Sequence, residues 1–162
     1  MTAERYAKLS APFRSRPWAV KGLRSANRAL TLLCYICYPA LLLWLLAYMD
    51  ARLWGAVLVP AGSFVLVSLF RSKVNRPRPY EAMDIQPLII KNTKGNSFPS
   101  RHVFSVFVIA MTWGWICPPV GAALMVVGVM VALIRVIGGV HYPSDVLAGA
   151  IIGILAGLIL YL

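Results

Sequence analysis

Two histidines occur in this 162-residue chain, and each stands beside groups that could put it to use. His102 closes the run Ser97-Phe98-Pro99-Ser100-Arg101-His102, and His141 lies in Arg135-x5-His141-x3-Asp145. A third cluster, Arg71-Ser72-Lys73-Val74-Asn75-Arg76-Pro77-Arg78-Pro79, precedes both. Arginine holds phosphate oxygens through two parallel donors, which lysine cannot copy. Arg71, Lys73, Arg76, Arg78 and Arg135 are therefore candidates for binding a phosphate, with Arg76 the weakest of them. Ser100 is placed to cap a following helix, whose first N–H groups would face an anion. A carboxylate near one ring nitrogen of a histidine fixes its tautomer and leaves the other nitrogen free to attack phosphorus. Asp145 can do this for His141, and His102 could then protonate a leaving oxygen and later activate water. Together these residues make a kit for phosphoryl transfer. His102, His141 and Asp145 could also form a three-ligand metal set. The surrounding cations would repel a metal ion and attract an anion, so the anion reading ranks above it.

The elements that position these groups must be membrane helices. The chain is 60% hydrophobic with a mean hydropathy of +0.75, too apolar for an ordinary soluble domain. Five apolar runs approach the roughly 20 residues that a helix needs to cross a bilayer. They are Ala29–Tyr48, Leu53–Phe70, Val103–Ile116, Val120–Ile137 and Val146–Leu162, the third being short unless it begins at Ser100. None alternates in polarity as barrel strands do. The fold class expected is all-α, a polytopic bundle of about five transmembrane helices. Residues 1–28 form a basic N-terminal interfacial segment and residues 29–162 the transmembrane domain. The first run follows seven cations and is too long for the core of a cleaved signal peptide. In the N-terminal segment Pro17 could open a helix with Lys21, Arg24 and Arg28 on one face, suited to anionic lipid. A poorly ordered solvated tail fits that composition equally well. Cys34, Cys37 and Cys117 read as packing residues, because the Cys34-x2-Cys37 spacing has no second pair.

Crossing geometry gathers the chemistry on one membrane face. The ends of the second and fourth runs and the starts of the third and fifth must share it, together with the single long polar loop from residue 71 to 100. Fifteen of the sixteen Lys and Arg residues fall on that face, and only Arg52 lies opposite. The positive-inside rule then places this face in the cytoplasm of a multi-pass cell-membrane protein.

These ordered clusters resemble those of the type 2 phosphatidic acid phosphatase superfamily. Its members are membrane lipid phosphatases that share an active-site plan with vanadium haloperoxidases. The family pattern is K-x6-R-P, then P-S-G-H, then S-R-x5-H-x3-D. The corresponding stretches here are Arg71-x6-Arg78-Pro79, Pro99-Ser100-Arg101-His102 and Ile134-Arg135-x5-His141-x3-Asp145, spanning roughly residues 53–150. The resemblance implies His141 as the nucleophile of a phosphohistidine, Asp145 as its orienting group and His102 as the general acid. It implies Arg71, Arg78, Ser100 and Arg135 as phosphate binders, and no metal or other cofactor. There are three departures. Arg71 replaces lysine, a role that Lys73 could share. Arg101 replaces glycine and adds a cation to the phosphate-binding set. Ile134 replaces serine. The family commonly has six spans, against five counted here.

The implied partners are a lipid phosphate substrate and membrane lipids: phosphatidate, phosphatidylglycerophosphate, or polyprenyl phosphate and diphosphate. A non-catalytic protein binding anionic lipid or a partner through its basic face is the alternative. A vanadate-dependent peroxidase is disfavoured by the five spans. Nucleic-acid binding from a net charge of +11 is disfavoured because that charge sits at a membrane face.

Overall fold

The computed structural model describes residues 1–162, and every regular element in it is helical. A basic helix α1 (Ala3–Arg14) precedes the long α2 (Pro17–Ala47). A tight turn leads into α3 (Arg52–Val74), followed by the short α4 (Pro79–Ala82) within the polar loop. Then come α5 (Arg101–Ile116), α6 (Pro118–Ile137) and α7 (Pro143–Leu158), ending in a 3-10 turn, Ile159–Tyr161. Prolines at the first positions of α2, α6 and α7 start those helices, since the N–H that proline lacks is one no helix satisfies there. The chain is a multi-pass integral membrane protein. Four helices are long and apolar enough to cross a bilayer, and α5 is a shorter apolar helix of 16 residues.

The third run begins at Arg101 rather than Ser100, and its shortness has a packing reason. Val103, Phe104, Val106, Phe107, Val108, Ile109 and Ala110 are all buried, so α5 is the axis around which the other helices pack. An apolar helix enclosed by its neighbours need not match the bilayer thickness by itself. The approach of α7 to α5 depends on a row of small residues. A Cβ at Gly149 would lie 2.6 Å from the Ser100 carbonyl oxygen, and one at Gly153 would lie 2.7 Å from that of Phe104. On the other side of α5, a Cβ at Gly121 of α6 would meet the Gly114 backbone at 2.4 Å. In lipid, where no hydrophobic drive pulls helices together, such close backbone contact supplies much of the association.

The basic N-terminal segment does not end where composition changes. Its break falls at Ser15 and Arg16, and α2 runs unbroken from Pro17 through Arg28 into the first span. With 31 residues α2 is about 46 Å long, well beyond a hydrocarbon core of about 30 Å. The projecting part grips the polar loop: Arg24 Nε donates to the Leu88 carbonyl at 2.7 Å. Helix α1 folds back to the same place. The buried Tyr6 hydroxyl accepts from Leu88 N–H at 3.3 Å, and Arg14 donates to the Gln86 carbonyl. Ile89 N–H in turn donates to the Gly138 carbonyl at 3.1 Å, tying the loop to the end of α6. Gly139 has φ +75°, and a Cβ there would meet the Tyr6 hydroxyl at 2.6 Å. Glycine is required at that corner by both conformation and space. These contacts place α1, the start of α2, the loop and the end of α6 on one face, as the crossing count expects.

The α5–α7 seam can be tested by filling it. Gly153→Val should cost about 1–3 kcal/mol, the usual penalty for overpacking, and lower the thermal unfolding midpoint in detergent. Gly62→Ala on α3, where an added Cβ meets nothing within 4 Å, should leave the midpoint unchanged or slightly raised.

Candidate active site

A cavity of about 470 Å³ opens at the loop-bearing end of the bundle, and no hydrophobic side chain lines it. Its wall is built from distant parts of the chain. Ser68, Arg71 and Ser72 come from the end of α3, Arg78 from the start of α4, and Lys91, Thr93, Lys94 and Asn96 from the loop. Arg101 and His102 open α5, and His141 closes the wall from the α6–α7 corner. Of the residues expected at the site, Arg71, Arg78, Arg101, His102 and His141 are thus brought together. Ser100 and Arg135 lie behind this wall, both buried, and Ser100 Oγ and Arg135 Nε have no protein hydrogen-bond partner. Lys73 points away: it is exposed and does not line the cavity, because Arg71 and Ser72 already occupy the inward face of the last turn of α3. Ser100 is the N-cap of α5 by position, but its hydroxyl makes no capping bond. Instead its N–H donates to the Asp145 carbonyl at 2.8 Å.

The two arginines of the α3–α4 corner are held by backbone. Arg71 donates to the Asn96 carbonyl, while Arg78 donates to those of Gly95 at 3.0 Å and Val140 at 3.2 Å. Each guanidinium has five donors in a fixed fork, so these bonds orient it and leave others for an anion. Glu81 secures the same corner, accepting from Arg78 N–H at 2.8 Å and from Gly95 N–H.

Asp145 is completely buried in the first turn of α7, and its carboxylate is shared among four partners. Oδ1 takes Arg76 at 2.7 Å. Oδ2 accepts the Ser97 hydroxyl and the Tyr142 N–H (3.0 Å), and it faces His141 Nδ1 at 3.5 Å. Ser97 Oγ also stands 3.5 Å from that nitrogen. With Nδ1 turned to the carboxylate, Nε2 is the nitrogen left for chemistry. Burial pushes the His141 imidazole down to about 4; the Asp145 contact opposes the shift, and the Arg78 and Arg135 charges add to it. The ring is therefore neutral at neutral pH.

Arg76 therefore serves the carboxylate rather than the cavity, and it stacks over the Tyr142 ring with 4.2 Å to the centroid. Neither Ser97 nor Lys91 stands in a spacing that marks it as a site residue. Ser97 sits in the quoted run before His102, but only the fold brings it to Asp145. Lys91 is a lone lysine in a loop and carries no spacing signal. Burial, and then the charges of Arg78, Arg135, Arg71 and Arg101, lower its ammonium to about 8.

An apolar groove meets the cavity from the membrane side. Arg101 and His102 line both spaces. From them the groove runs past Tyr35, Phe64 and Ile109 to Tyr38 and Pro60, between α2, α3 and α5. The arrangement offers an anion pocket, a neutral histidine braced by a carboxylate, a second histidine, and an apolar channel leading to both histidines' side of the pocket.

A family model described as the PAP2 superfamily matches residues 52–162. The chain is 30% identical over 97 residues to the bacitracin transport permease protein BcrC of Bacillus licheniformis, covering 60% of this chain and 48% of that one. It thus spans about half the length of that relative. It is 27% identical over 155 residues to the undecaprenyl-diphosphatase BcrC of Bacillus subtilis (strain 168), covering 88% and 79% of the two chains. In fold it is similar to the crystal structure of Aquifex aeolicus LpxE, with a TM-score of 0.75, 24% identity, and coverage of 99% of this chain and 94% of that one.

Two measurements separate the roles assigned by this geometry. Arg76→Gln should lower kcat about tenfold with little change in KM, because Arg76 touches Asp145 and not the cavity. As pH rises through about 8, Lys91 loses its charge and KM for an anionic substrate should rise; Lys91→Arg should move that limb upward.

Proposed function

Since the chain belongs to the PAP2 superfamily, we propose that it is a membrane phosphohydrolase. It would remove phosphate from a lipid through a phosphohistidine at His141, without a metal. The observation that carries this reading is the continuity of the cationic cavity with an apolar groove, joined at Arg101 and His102. A lipid lying in the bilayer can leave its chain in the groove and present its phosphate to the cations. Phosphatidate, phosphatidylglycerophosphate and polyprenyl phosphates or diphosphates all have this form, and the Bacillus subtilis relative is named an undecaprenyl diphosphatase.

The placement of each group supports the following steps. Arg71 and Arg78, with Arg135 and Ser100 behind them, hold the phosphoryl oxygens and offset the charge spread over them in the transition state. His141 Nε2 attacks phosphorus while Asp145 accepts the Nδ1 proton contact and stabilises the ring as it becomes cationic. The phosphorus–oxygen bond to the lipid breaks, and its electron pair stays on the leaving oxygen, which takes a proton from His102. Water then gives a proton to His102 as it attacks the phosphohistidine. The phosphorus–nitrogen bond breaks, inorganic phosphate departs, and His141 returns to its neutral form. The excess of Lys and Arg at this end supports a site on the cytoplasmic face.

Phosphate release from a panel of these lipids, in detergent with EDTA, tests the reading. The wild-type protein should release phosphate and His141→Ala should not, with a loss of at least about a thousandfold, typical of a missing nucleophile. Release abolished by EDTA, or retained by His141→Ala, would contradict the mechanism. Binding without release from any lipid would favour a non-catalytic lipid-binding protein.

A further inference from the structure

The cavity carries more positive charge than one phosphate can use. Arg71, Arg78 and the underlying Arg135 suffice for a single phosphoryl group. Lys91, Lys94 and Arg101 line the same space, and none of the three forms an ion pair with any carboxylate. Two carboxylates stand nearby: Asp145 is taken up by Arg76, Ser97 and His141, and Glu81 by the N–H groups of Arg78 and Gly95. Gathering like charges without a counter-ion is costly and is tolerated where an anion is to be bound. The space is also generous, at about 470 Å³.

The position of Arg101 indicates where the extra charge is needed. Its guanidinium lies over the Phe64 ring, 5.2 Å from the centroid, which fixes it where the apolar groove opens into the cavity. It is adjacent in sequence to His102, which lines the same boundary. A lipid threaded from groove to cavity would place its chain first, its leaving group beside Arg101 and His102, and its reacting phosphate beyond, at His141. An alcohol leaving group, once protonated, needs no cation there. A phosphate leaving group keeps negative charge after the bond breaks and does need one.

Building on the phosphohydrolase reading, we propose that Arg101, with Lys94 on the same cavity wall, forms a leaving-phosphate subsite, and that the substrate is a lipid diphosphate. The bond broken is the one between the terminal phosphorus and the bridging oxygen. That oxygen keeps the electron pair on the lipid-borne phosphate, and the product is a lipid monophosphate that stays in the groove. A reaction that transfers the lipid-borne headgroup and frees lipid diphosphate would supply this substrate. Arg101 is therefore a specificity determinant at the position where the family pattern has glycine.

The test compares a polyprenyl diphosphate with the matching monophosphate for the wild type, Arg101→Gly, Arg101→Lys and Lys94→Gln. The wild type should favour the diphosphate in kcat/KM by about tenfold or more, the scale of one charge-assisted contact. Arg101→Gly should lose most of that preference, Arg101→Lys should restore part of it, and the exposed Lys94→Gln, which carries no folding risk, should reduce it. Inhibition by inorganic pyrophosphate relative to orthophosphate should change in parallel. A wild type that hydrolyses both lipids without preference, or an Arg101→Gly variant that keeps it, would overturn the subsite and leave the phosphohydrolase reading standing. Absence of release from either lipid would remove that reading. Calorimetry with pyrophosphate would then decide the subsite alone: tighter binding than orthophosphate in the wild type but not in Arg101→Gly supports it, and equal binding refutes it.

Discussion

The buried Asp145 carboxylate is the point on which the site turns. A lone carboxylate in such surroundings would be driven to its neutral form. Here it is kept charged by Arg76 on one oxygen and by the Ser97 hydroxyl and Tyr142 N–H on the other. Each partner comes from a different stretch: the α3–α4 corner, the approach to α5 and the cap of α7. The charge therefore does two things at once. It holds His141 in one orientation, and it joins three segments that backbone bonds also link, Ser97 N–H to the Arg76 carbonyl at 2.9 Å and Ser100 N–H to that of Asp145 at 2.8 Å. Leaving such a network partly satisfied would cost more than an apolar replacement, and both carboxylate oxygens have partners.

That network requires α7 to lie close against α5. The glycines at 149 and 153 allow it, bringing the Asp145 backbone to Ser100 N–H at 2.8 Å. The same seam sets the distance between the two histidines' elements, since His102 opens α5 and His141 precedes α7. Packing in the lipid-facing part of the molecule is thus the scaffold for chemistry at its edge. The N-terminal helices act from the other side, gripping residues 86–89 through Tyr6, Arg14 and Arg24. Lys91 comes just after these residues, so its place in the cavity depends on the distant N-terminal helices.

Much of this was legible in the residues, for physical reasons. Apolar runs of membrane length have one stable form in lipid, so the helices and their order could be read, and counting crossings put the three motifs on one face. Arg71, Arg78, Arg101, His102 and His141 do meet in one cavity. What the sequence could not reveal depended on side-chain direction and distant contact. Lys73 has the right charge and the wrong direction, one step beyond the inward face of α3. Arg76 has the charge of an anion binder but is drawn to a carboxylate 69 positions away. The basic N-terminal segment read as an interfacial unit ending at residue 28, whereas helix formers continue across that point and α2 does not break. Lys91 had no motif to mark it, and its role comes from the loop's attachments to α1, α2 and α6.

The central claim is that His141 takes the phosphoryl group from a lipid. Quenching the wild-type protein and His102→Ala during turnover of a lipid diphosphate, then locating the modified residue by mass spectrometry, tests it most directly. The mechanism predicts an acid-labile phosphate on His141 and on no other residue, absent from His141→Ala. Phosphate on another side chain, or turnover with no phosphoenzyme in either protein, would contradict it.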